Sequence, residues 1–337
     1  MEDDAATDRI LTSAKAGSAV WVLLFILQTA RIMDLGVVPL AVLLAPLVVV
    51  PLGVMLSRRI LPEKVSPVRS KMEAAGILIA AVLAAASFAL PKGIASAALA
   101  AVWLATVCVI GVFEFPIIWR SDISLVERVC LGAAFLYLPV GAVWLVGSRF
   151  GIAPMGFEEP FVLLTAAHFH FSGFAAALLV GAGWRALSSS RPALRRIYAP
   201  LALGAAAGPA LVAAGFVLSP ALKAGAALIF SISLAGCSIL ALLAVFNLWS
   251  GTARFFLSIS TACIFAGVVF ACVYALGDFA GKSWIGIPRM AELHGITNSF
   301  GYVLCGLLGW LTAQESPQEE PSMADVCSIR AVGGCQS

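Results

Sequence analysis

Charged side chains are scarce in this chain. Its 337 residues include 21 Lys and Arg and 18 Asp and Glu, 12% of the total, against about 25% in ordinary soluble domains. A soluble fold of this size needs a polar coat that so few charges cannot supply, which excludes a soluble enzyme. A hydrophobic share of 61% excludes a disordered chain. The net charge of +3 is small and the basic residues form no stripe interleaved with aromatics, so no nucleic-acid partner is expected. The eight cysteines show no CxxC spacing, which argues against a disulfide scaffold. Six of them fall in apolar runs as small core residues, and Cys327 and Cys335 read as reduced thiols in a polar tail. The first eighteen residues are polar and show no cleavable signal peptide. No convincing internal repeat is present.

What the chain has in abundance is long apolar runs. A bilayer core about 30 Å thick takes roughly 20 apolar residues per helix. That ruler gives ten spans, near residues 18–33, 36–57, 73–91, 94–113, 124–147, 159–182, 199–219, 224–248, 253–276 and 290–312. The expected fold is an all-α, polytopic transmembrane helical bundle, with a cell-membrane location of the bacterial inner-membrane type and the lipid bilayer as its partner. Residues 1–17 form a cytoplasmic segment, 18–313 the transmembrane domain and 314–337 a disordered cytoplasmic tail. Basic residues test the layout, since cytoplasmic loops collect Lys and Arg. Fifteen fall on one side, in the clusters at residues 9–15, 58–71, 120–128 and 185–196 and at Arg254 and Arg330. Six fall on the other: Arg31, Lys92, Arg149, Lys223, Lys282 and Arg289. With an even number of spans, both termini are cytoplasmic.

Histidine is scarcer still, and its placement is informative. The chain has three, all inside predicted spans: His168 and His170 in TAAHFHFSGF on the sixth, His294 in AELHGITNSFGY on the tenth. Ionisable groups in a membrane are expensive and point to function. Counted at 1.5 Å per residue from the outer end, His168 lies roughly 13 Å deep and Asn298 matches it. Positions i and i+2 of a helix face opposite ways, so His168 and His170 cannot serve one centre. The economical arrangement is one His168–His294–Asn298 pocket in the outer half, with His170 turned to another neighbour. Glu159 and Glu292 are placed to hydrogen-bond the imidazoles at the outer mouth. Among other polar groups, Glu114 reads as a surface carboxylate at the cytoplasmic end and Arg31 as a snorkelling cation. Tyr137, beside Pro139, reads as a proton donor at a kink. The small-residue run GAAAGPALVAAG at 204–215 is a packing device.

The paired segments HFHFSGF and HGITNSFGY resemble the signatures of YndJ-like bacterial membrane proteins, over about thirty residues of the sixth and tenth spans. The resemblance implies a multi-helix membrane architecture in a family often labelled as transporters, with His168, His170, His294 and Asn298 as its characteristic polar positions. A more local similarity is to haem-copper oxidases, where an HFH pair points its rings oppositely at two haems and an AHG-type segment supplies another axial ligand. HFHF at 168–171 and LHG at 293–295 echo this, but the copper-binding histidine pair is missing and the segment order is reversed.

Three functions fit these residues. The first is a membrane-embedded isomerase- or cyclase-type enzyme doing acid/base chemistry on a lipophilic small molecule with His168, His294, Asn298, Glu159 and Glu292, and needing neither cofactor nor metal. The second is a transporter relaying protons or a solute. The third is a haem or metal protein, for which three histidines are the minimum. Polar groups gathered in the outer half favour a one-sided pocket, and with it the enzyme.

Overall fold

The computed structural model describes residues 2–61, 66–187, 191–246 and 251–313, with side chains from residue 8 onward. Among these residues the chain is all-helical, without strands. Nine helices among the described residues are long and apolar enough to cross a membrane: Asp8–Thr29, Val37–Ile60, Pro67–Ala89, Ile94–Arg120, Leu125–Phe150, Phe161–Ala186, Pro192–Leu218, Pro220–Val245 and Gly251–Phe279. A tenth helical stretch, residues 287–312, completes the bundle; His294, Thr297, Asn298 and Ser299 make it more polar than the others. These ten elements match the ten expected spans in order. The tail with Cys327 and Cys335 lies outside the described residues.

Local chemistry sets the helix ends. Ser66, Ser124 and Ser219 cap the third, fifth and eighth helices by accepting from Arg69 N, Glu127 N and Leu222 N. In the fifth, Glu127 reaches back to Ser124 N to close a capping box. Pro67 and Pro220 follow their caps at the first helical position, where a missing N–H costs nothing. The first helix begins at Glu2, well before its apolar run, because its early turns lie on the third helix. There Ser13 donates to Ala74 O at 2.8 Å and Arg9 to Pro67 O at 3.0 Å. The fourth helix continues through Pro116 to Arg120.

Small residues let the helices approach. A side chain at Gly208 would strike Phe230, and one at Gly204 would strike Ser233, so the seventh and eighth helices pack backbone to side chain. The second and sixth helices are the most enclosed, and the sixth touches the second, fifth, seventh, eighth and tenth. The outer surface is apolar: Val22, Phe25, Ile79, Val112, Ile232 and Val269 are all exposed, which suits lipid and would be untenable in water.

Both chain ends of the described bundle lie at its basic end. Arg9 reaches the start of the third helix, and Arg59 donates to Trp310 O at 3.2 Å. At that end Glu114 is 1% exposed, which corrects its reading as a surface carboxylate. It pairs with Arg69 at 2.7 Å and Arg58 at 3.6 Å, and both arginines also pair with Glu73. Two cations and two anions neutralise one another where the second, third and fourth helices meet.

Candidate functional site

The sixth and tenth helices depart from α geometry where their polar residues sit. The sixth becomes π-helical over Phe169–Ala175, directly after His168. The tenth is π-helical over Ala291–Gly295 and Thr297–Leu304, around His294 and Asn298. Such π turns re-aim side chains and are frequent at functional sites. The two helices pack against each other here. Each histidine lies seven residues from its helix start, about 10 Å in, so the two stand at the same level.

Between them is a cavity of about 500 Å³. His168, His294, Asn298, Ser172 and Tyr302 line it, with Lys223 and Tyr274 and a mostly apolar wall from the fifth to tenth helices that includes Trp144, Phe161, Phe216 and Phe230. It runs from the turn after the fifth helix, where Met155 and Phe157 line it, to Ala176 and Val303 near mid-bundle. Beyond, towards the basic end, a void of about 20 Å³ among Tyr198, Ser238, Thr261 and Tyr302 has room for about one water.

The hydrogen bonds fix the proton positions on the rings. His168 Nε2 lies 3.2 Å from Pro209 O, and His294 Nδ1 lies 2.9 Å from Gly267 O. A carbonyl only accepts, so each of these nitrogens carries the hydrogen and donates. The Asn298 amide nitrogen is 2.8 Å from His294 O and 3.0 Å from His294 Nδ1. With Nδ1 protonated, it donates to the carbonyl. This leaves His168 Nδ1 and His294 Nε2 as bare lone pairs, with no hydrogen-bonding partner among the described residues. Gly267 makes the arrangement possible. A Cβ there would fall 2.5 Å from Asn298 Oδ1, so only glycine lets its own carbonyl come so close to the imidazole.

His170 is the opposite case. It is fully buried, and Trp103 Nε1 donates to its Nε2 at 3.1 Å while its Nδ1 donates to Ala166 O at 2.8 Å. Both nitrogens are consumed, so the opposed axial-ligand pair suggested by the haem-copper similarity is not available at His170. Among the described residues no group of three His, Cys, Asp or Glu is placed to hold a metal ion.

The two carboxylates do not join the cavity wall. Glu159 accepts from Ser148 Oγ and Leu163 N and pairs with Lys92 at 3.3 Å, fixing the start of the sixth helix. Glu292 pairs with Arg289 at 3.2 Å. Each thus has a cation or helix-end donor nearer than an imidazole. Tyr137 donates to Ala206 O at 2.9 Å, tying the fifth helix to the seventh. Arg31 is exposed. One cavity-wall charge went unremarked in the sequence beyond its count as an outer cation. Lys223 is buried at the outer mouth, paired with Asp278 at 2.6 Å and set 4.4 Å over Phe216 and 5.5 Å over Tyr274. Trp103 and Gly267 also escaped notice, being an apolar-run aromatic and one glycine among 30.

Ten helices, a lipid-suited surface and a polar-lined cavity in one half define a multi-pass helical membrane protein with a candidate site among the described residues. The profile of the YndJ-like protein family matches residues 40–302, and the chain belongs to that family. It is 26% identical over 206 residues to a Bacillus subtilis (strain 168) protein described as uncharacterized membrane protein YndJ. The aligned part covers 61% of this chain and 37% of that relative, so the chain spans well under half of its length. No solved structure matches.

Proposed function

We propose that this chain is a membrane-embedded enzyme that moves a proton on a lipophilic substrate, in an isomerisation or a cyclisation. The observation that carries the reading is the pair of imidazoles that line one largely apolar cavity, each with one nitrogen held on a backbone carbonyl and the other bonded to no described protein group. Such a nitrogen takes a proton from the substrate, and the resulting imidazolium returns it at another carbon. His168 and His294 touch the substrate in this reading. Asn298 positions His294, and Glu159 holds the sixth helix in place. The near-closure of the bundle beyond Tyr302 supports chemistry in a one-sided pocket over passage through the membrane.

Isomerisation and cyclisation conserve mass. In cells lacking the native protein, restoring the wild-type chain is expected to convert one lipid into another of identical mass but different chromatographic retention. His168→Ala and His294→Ala chains, present in the membrane in equal amount, are expected to leave the first lipid unconverted. An unchanged set of equal-mass lipids on restoring the wild type would overturn the proposal.

A further inference from the structure

The two imidazoles offer a ligand one kind of polar contact. The ring nitrogens left without a protein partner among the described residues, His168 Nδ1 and His294 Nε2, are acceptors when the nitrogens across each ring carry the hydrogens. Of the nearby donors, one Asn298 amide hydrogen goes to His294 O, Thr165 donates to Phe161 O and Ser299 to Gly295 O, while the Ser172 hydroxyl lines the cavity beside the rings. The charged residue on the wall, Lys223, is neutralised by Asp278. A ligand carbonyl or ether oxygen would therefore set lone pair against lone pair at each imidazole, and an acid would meet a mouth whose cation is taken. A hydroxyl satisfies both demands, donating to the ring while remaining neutral.

We infer that the cavity selects a neutral lipid alcohol, whose hydroxyl donates to His168 Nδ1 or His294 Nε2 while its hydrocarbon body lies along Phe161, Phe216 and Phe230. This rests on the reading of the cavity as a substrate site and adds the class of substrate. One imidazole holding the hydroxyl would fix the substrate while the other moves the proton between carbons.

The test is binding, independent of turnover. The full chain in nanodiscs is titrated with three alcohols of different shape, farnesol, cholesterol and 1,2-dioleoylglycerol, and with the O-methyl ether of each. At least one alcohol is expected to bind about tenfold tighter than its ether, the value of one hydrogen bond. That preference is expected to vanish in His168→Phe or His294→Phe. The wild-type comparison alone decides the matter if a variant fails to fold. Equal binding of every alcohol and its ether, or binding of none, would overturn the inference. Equal binding of the pairs leaves the acid/base reading standing. Selective alcohol binding without any equal-mass lipid conversion would sink that reading instead.

Discussion

At the basic end of the bundle, Arg58, Arg69, Glu73 and Glu114 meet between three helices and neutralise one another. In the opposite half, His168, His294 and Asn298 line a cavity, and two ring nitrogens have no partner among the described residues. Both groups are polar and enclosed, yet their chemistry differs. The ion cluster balances two cations against two anions and fixes helix positions, and no cavity opens onto it among those described. The histidines keep one nitrogen each on a backbone carbonyl and hold the other open. The sixth helix repeats the contrast within three residues: His170 has both nitrogens occupied, His168 only one. Open valence facing a cavity, more than burial itself, separates the candidate site from the scaffold.

The comparison can be broken first at the ion cluster. Glu114→Ala leaves Arg69 and Arg58 short of a partner, and removing one member of a buried pair costs about 3–5 kcal/mol. A large fall in melting temperature in detergent is expected, with little folded protein recovered. A melting temperature matching the wild type would mean the cluster is not structural. Next comes His170→Ala, which strands the Trp103 indole N–H and is expected to cost about 1–3 kcal/mol. The surviving protein should still bind ligand. Gly267→Ala acts on the site alone: its Cβ displaces Asn298, and ligand affinity should fall about tenfold, or about 1.4 kcal/mol. The smallest stability change, under about 1 kcal/mol, is expected for His294→Ala, because nothing buried is left unpaired when the ring goes. A destabilisation there as large as that of His170→Ala would erase the distinction between the two.

The helical membrane bundle and the order of its helices were legible because twenty-residue apolar runs are strong one-dimensional signals. The opposed placements of His168 and His170 were legible too, since i and i+2 cannot share a face. Glu114 was misread because its partners Arg58, Arg69 and Glu73 come from other helices, and pairing across helices leaves no local trace. Glu159 and Glu292 were placed at the mouth on depth alone. Depth does not reveal that Lys92 and Arg289 lie closer to them than any imidazole. The roles of Gly267 and Trp103 depend on which carbonyl and which ring lie opposite, which only packing decides.

The most direct measurement uses the fact that the chain has only three histidines. Nitrogen-15 NMR of histidine-labelled protein in lipid, assigned with one single variant per histidine, reports the proton on each ring nitrogen. The account predicts Nε2–H at His168 and Nδ1–H at His170 and His294. On adding a bound lipid alcohol, the bare nitrogens of His168 or His294 should shift while both His170 signals stay fixed. Unchanged signals at His168 and His294 in the presence of bound ligand, or a response confined to His170, would contradict it.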